Sequence, residues 1–208
     1  VCFIKYEKER FENATRKRNL ENLICRFFKS KNISGNVVAL VGNTLETHYN
    51  NWKPLLNNRS RYVVCEIEKE IHENQKIQLS KMSEKDRIEL VNDDIFRFVK
   101  TYDKPIAVLD LDLCAGYTQL GNKILNCVYY CLKNKKFKQG YAGLTLTLTF
   151  RNQPSAYRNL EKLDKEIRIM ALSFGYIISG TIKDSYRDKT PMIELAYIIR
   201  KDTNNKFK

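Results

Sequence analysis

Two aspartates close an apolar run near the middle of the chain, in K-P-I-A-V-L-D-L-D-L-C-A-G from Lys104 to Gly116. Strands covered on both faces are near-continuously apolar, and open parallel sheets bind their ligands beyond the carboxyl ends of the strands. The run therefore predicts a buried parallel strand that carries Asp110 and Asp112 to a crevice, where a ligand is expected. Gly42, in N-V-V-A-L-V-G-N-T, ends another short apolar run, and a glycine lets backbone approach a ligand closely. Asn43 follows, and Thr44 is placed to cap a helix whose N-terminus would point at that ligand. Glu66 stands at the end of R-Y-V-V-C-E, where a doubly wound fold uses an acid to hold the two hydroxyls of a ribose. Asp93 or Asp94, in V-N-D-D-I, would stand at the same rim. Structural roles compete with these: Glu66, Glu68 and Glu70 can open a solvated helix, and Asp110 can be a sheet-end carboxylate satisfied by backbone N–H groups.

Positioning these groups takes alternating strands and helices. Strands are predicted over Asn36 to Gly42, Arg61 to Ile67, Ile88 to Val91, the central run, and Gly140 to Phe150, where Leu and Thr alternate at period two. Helices are predicted over His72 to Leu79, just after Asp94 with Phe96 and Val99 inward, from about Leu120, and over Tyr157 to Leu172. Two last strands, Gly175 to Ile182 and Met192 to Arg200, flank the polar turn S-Y-R-D-K-T-P and so form an antiparallel hairpin. Ahead of all this, Lys5 to Ser30 carries Phe11, Leu20, Leu23, Ile24, Phe27 and Phe28 at helical spacing. The basic side of that segment, with Arg16, Lys17 and Arg18, can touch phosphate or simply be a solvated face. The expected division is a basic helical extension packed on the core over residues 1–34, an α/β domain over 35–203, and a tail over 204–208.

The chain has 208 residues, 43% of them hydrophobic, which suffices for one α/β domain with a substantial core. Thirty-seven Lys and Arg against 24 Asp and Glu give a net charge of +13, which favours a polyanionic partner such as RNA or DNA, or an anionic membrane surface; a Lys- and Asn-rich composition explains the same number. No apolar run approaches the roughly 20 residues that span a bilayer, and no signal-peptide pattern opens the sequence, so a soluble, intracellular protein is expected. Six cysteines form no C-x-x-C pair and sit mostly in apolar runs, which reads as reduced, buried thiols in the cytoplasm. Cys127 and Cys131 can share a helix face, but the two histidines, His48 and His72, are remote in sequence, and no metal is expected. The absence of G-x-G-x-x-G and of G-K-[ST] argues against a nicotinamide enzyme and a P-loop NTPase. No zinc-finger, RRM or helix-turn-helix signature is present.

Taken together, β-α units with a glycine after the first strand, an acid after the second, an Asp after the third, an acidic end to the fourth and a closing hairpin resemble the class I S-adenosylmethionine-dependent methyltransferases. The resemblance covers Gly35 to Lys201 and implies a Rossmann-like, seven-stranded, mostly parallel sheet with a C-terminal antiparallel hairpin and helices on both faces. It implies that Gly42, Asn43 and Thr44 lie against the methionine part of the cofactor, although no second glycine follows as in the usual acidic G-x-G motif. It also implies that Glu66 binds the ribose, and that Asp94, or Asp93, bonds the adenine amino group. D-L-D-x-x-x-G further resembles the D-x-D-P-x-G stretch of tRNA guanine-N2 methyltransferases and the N-P-P-Y stretch of amino methyltransferases, with Leu113 at the proline. By that likeness Asp110, Asp112 and Tyr117 face the methyl group and its acceptor, Asp112 taking the departing proton and Tyr117 holding a flat base. The expected activity is methyl transfer to a nucleic acid, the alternative being a protein of the same fold that binds nucleic acid or a protein partner without chemistry.

Overall fold

The computed structural model describes the backbone of residues 2–149, 154–187 and 191–202, and their side chains apart from 2–14, 114–119, 154–157 and 187. β1 (Asn36–Leu40), β2 (Tyr62–Cys65), β3 (Ile88–Val91), β4 (Ile106–Gly116) and β5 (Tyr141–Thr149) are parallel, and β6 (Tyr176–Arg187) and β7 (Pro191–Lys201) close the sheet as an antiparallel pair. The strand order is β3-β2-β1-β4-β5-β7-β6, with β7 antiparallel to both neighbours. The sheet is Rossmann-like, as the sequence implied.

Because side chains alternate across a strand, each strand feeds two cores. Val38, Val63, Leu109, Leu144, Leu146 and Leu148 meet α4 (Ile95–Thr101), α5 (Tyr117–Lys133) and α6 (Pro154–Ser173) on one face. Val37, Ala39, Val64, Val108 and Ile198 meet α1 (Cys2–Lys29) and α2 (Leu45–Trp52) on the other, with α3 (Lys69–Lys81) at its edge. α1 is a single helix whose Leu20, Ile24 and Phe28 are buried, whereas Leu23 is 52% exposed. Glycines make room for it: a Cβ on Gly143 would stand 2.5 Å from the Phe28 ring, and one on Gly180 2.8 Å from Phe27.

Most boundaries shift by one to three residues from the sequence reading, and three matter for the site. β4 continues past both aspartates to Gly116, α5 starts at Tyr117, and β6 runs through Ser185-Tyr186-Arg187, which the sequence assigned to a turn. Long β6–β7 pairing, down to Arg187 opposite Pro191, overrides the polar local composition. Residues 188–190 and the tail from 203 lie outside the described residues. Among the described residues, no helix is long and apolar enough to cross a membrane.

Candidate active site

Register brings the expected residues to one rim. Leu40 is paired with Cys65 and with Leu111, and Cys65 with Val91, so Gly42, Glu66, Asp93, Asp94 and Asp112 all stand just beyond this row, at the carboxyl ends of four neighbouring strands. A Cβ on Gly42 would meet nothing within 4 Å, so the first loop borders open space. The carbonyls of that loop are held by α3. Gln75 Nε2 donates to the oxygens of Val41 at 2.5 Å and Gly42 at 3.0 Å, and Gln78 Nε2 donates to Asn43 at 2.7 Å. Among the described residues, no acceptor takes the N–H of Asn43 or Thr44.

Thr44 stands at the N-cap position of α2 but makes no capping bond; its ψ of 49° is not the extended conformation that aims a cap side chain at the first turn. Gln78 Oε1 accepts from Leu45 N instead, at 3.1 Å. Glu66 is buried rather than solvated, and one of its oxygens accepts from Glu68 N at 2.8 Å. Asp94 caps α4 by accepting from Phe96 N, and Asp93 binds the Arg97 guanidinium, which holds its carboxyl below the usual range.

The two aspartates of β4 divide. Asp110 lies inside the sheet, not at a crevice, and its carboxylate is satisfied by the Thr145 hydroxyl rather than by backbone N–H groups. Asp112 stands at the rim and accepts from Lys17 Nζ at 2.7 Å. The side chain of Tyr117, at the start of α5, lies outside the described residues.

Both aspartates belong to a polar inlay in the α1 face of the sheet. Asp112 is registered with Thr147 and Thr147 with Glu194, while Asp110 is registered with Thr145, and all of these are buried or nearly so. α1 and α2 cover the inlay with Lys17, Glu21, His48 and Asn51. Asn51 donates to Glu21, and His48 Nε2 lies 3.7 Å from Glu21 and 3.8 Å from Asp112. A cavity of about 310 Å³ opens between Thr15, Lys17 and Arg18 of α1 and Thr44, with Thr47 and His48 of α2.

Burial sets the protonation of this cluster. It pushes Glu21 up to about 8, against the pull of Lys17, and Asp110 up to about 7, against its bond from Thr145. It raises Glu194 well above the usual range, helped by the neighbouring carboxylates, and lowers His48 to about 4, leaving the imidazole neutral. One sign follows for stability. A carboxyl whose folded pKa is raised contributes stability that is full below its unfolded value and is lost as pH rises through the folded one. For Glu21 the window runs from about 4.5 to about 8. Glu21→Gln keeps an acceptor for Asn51, so it should leave stability unchanged near pH 5 and raise it by about 1–2 kcal/mol near pH 9. Urea unfolding at the two pH values checks this; an equal effect at both would exclude a proton held on Glu21.

No family model matches the chain, and neither does any curated protein sequence. Solved structures do match. The N-methyltransferase NodS of Bradyrhizobium japonicum WM9 superposes with a TM-score of 0.60 at 10% identity, over 89% of this chain and 97% of that one. An rRNA methylase of Streptococcus thermophilus gives 0.54 at 12% identity, over 88% and 94%. The O-methyltransferase TomG of Streptomyces achromogenes, solved in complex with S-adenosylmethionine, gives 0.57 at 12%, over 88% and 79%. The fold is that of the class I methyltransferases. At these identities the likeness is one of fold.

Several residues of the site escaped the sequence reading. Lys17 stood only among solvated or phosphate-touching cations, and Glu21, His48 and Glu194 carried no assigned role. Their signal was faint but present: Lys17 and Glu21 are four apart on a helix, and Glu194 interrupts an apolar run, M-I-E-L-A. Cys25, Cys65, Cys127 and Cys131 are buried free thiols.

Proposed function

We propose that this chain is an S-adenosylmethionine-dependent methyltransferase acting on a nucleic acid. The observation that carries the reading is the gathering of Gly42, Glu66, Asp94 and Asp112 on one rim of a methyltransferase sheet. The residues present fit the cofactor: open space at Gly42 and uncommitted N–H groups at Asn43 and Thr44 suit the methionine part, Glu66 the ribose, and Asp94, or Asp93, the adenine amino group. Bound there, the cofactor supplies a methyl group activated on a sulfonium. Asp112 then accepts the proton leaving the acceptor, Lys17 orients its carboxylate, and Tyr117, by the resemblance, belongs to the acceptor side, while Asp110 stays inside the sheet on Thr145. α1 covers Asp112, whose side chain is 7% exposed. The charge of +13 supports a nucleic acid as acceptor, as does the likeness to an rRNA methylase.

Titration calorimetry with S-adenosylhomocysteine tests the reading. Saturable one-to-one binding is expected, weakened at least tenfold in Glu66→Ala; no binding, with or without RNA, would overturn it. A second reading is favoured by the single glycine of the first loop: the same fold binding nucleic acid without chemistry. It is recognised by salt-sensitive RNA binding, no methyl incorporation, and an RNA affinity unchanged in Asp112→Ala.

A further inference from the structure

Charge is separated between the two ends of the sheet. Hydrogen bonds gather four segments at the amino-terminal ends of the parallel strands: Lys138 Nζ donates to Ser34 O at 2.6 Å, Asn36 Nδ2 to Pro105 O at 3.0 Å, Arg61 N to Asn36 Oδ1 at 3.0 Å, and Ile106 N to Lys136 O at 2.8 Å. Within residues 29–35, 57–61, 100–106 and 133–139 stand ten Lys and Arg against one carboxylate, Asp103. At the opposite rim the proportion is reversed: residues 41–47, 66–70, 92–97 and 110–116 hold eight carboxylates and two cations.

We propose that the amino-terminal end of the sheet is an anchoring surface for the phosphate backbone of a folded RNA. Lys31, Arg59, Arg61, Lys104, Lys133 and Lys135 are all exposed there, and none of them is in an ion pair among the described residues. Cations without carboxylate partners keep their full field for an external polyanion. The apolar residues of the same segments, Ile33, Tyr102, Ile106 and Phe137, are buried, so the surface has charge without the apolar wedges that seat a protein in a bilayer. Nucleic acid is therefore favoured over a membrane. Six strand steps of about 3.3 Å separate Ile106 from Asp112, so the anchoring end and the transfer rim lie roughly 20 Å apart. An acceptor held by both must be large and folded. The choice of RNA rests on the proposed function; the location of the surface does not.

Fluorescence anisotropy of a labelled RNA hairpin, titrated over a range of KCl concentrations, tests the surface. The variant Lys31→Glu/Lys104→Glu/Lys135→Glu is compared with Lys123→Glu/Lys162→Glu/Lys165→Glu, which changes charge equally on α5 and α6. The first should lose at least tenfold in affinity, and its log K against log salt slope should fall by about 2, from roughly 0.7 per lost phosphate contact. The second should lose less than threefold. Equal losses in the two variants, or none in the first, would overturn the proposal, as would a loss confined to phosphatidylserine vesicles. S-adenosylhomocysteine binding, measured on the same proteins, should be unchanged in both variants. Its absence throughout would remove the transferase reading while the comparison of the two variants still decides the surface.

Discussion

Lys17→Met should lower the unfolding free energy at neutral pH by about 2–4 kcal/mol, somewhat below the full cost of stranding a buried charge because the lysine is partly exposed. Its Nζ lies 2.7 Å from Asp112 and 3.8 Å from Glu21, whose side chains are 7% and 5% exposed, while its own is 27% exposed. Methionine keeps the apolar stem and removes only the charge, leaving Asp112 in a poorly solvated place without its cation. Asp112→Asn in the same chain should recover most of the loss, because the stranded charge is then gone too. A double-mutant cycle by urea unfolding measures the coupling. A single-variant cost under about 1 kcal/mol, the usual value of an exposed ion pair, would mean that this contact does not fasten α1 to the sheet.

Asp112→Asn should slow methyl transfer about 100-fold, the lower end of what a positioned proton acceptor contributes, since its bond to Lys17 makes the carboxylate a weaker base. Affinity for S-adenosylhomocysteine should stay within twofold, because Asp112 is not among the residues assigned to the cofactor. Incorporation of labelled methyl into RNA, read beside calorimetry on the same preparation, separates the two quantities. A variant with full activity would exclude Asp112 as the proton acceptor. One that loses cofactor binding in proportion would make it a structural residue of the rim.

Much of the scaffold was legible because it is written locally. Ile88 to Val91 was bounded as found, the Leu and Thr alternation of β5 marked its two faces, and the glycine and acids that end successive strands pointed to one rim. Pairings between distant segments were not legible. Lys17 and Asp112 are 95 residues apart, and nothing in either neighbourhood selects the other. Asp110 looked like a strand-end acid because L-D-L-D was followed by a glycine. Its true setting depends on β5 and β7 presenting Thr145, Thr147 and Glu194 in matching rows, which requires the strand order. Gln75 and Gln78 carried no role within the helix predicted over His72 to Leu79, yet both hold the first loop and Gln78 replaces Thr44 as the cap of α2. A side chain's partner is fixed by topology, whereas its tendency to lie in a strand or helix is fixed by its neighbours.

The bond between Asp110 and Thr145 also acts as a vernier on the sheet. Sliding β5 by one residue along β4 would set Leu144 or Leu146 against the Asp110 carboxylate and thrust the threonines among the leucines of the opposite core. Misaligned assembly is thus penalised on both sides of the sheet at once. Folding therefore admits a single alignment of the two longest parallel strands.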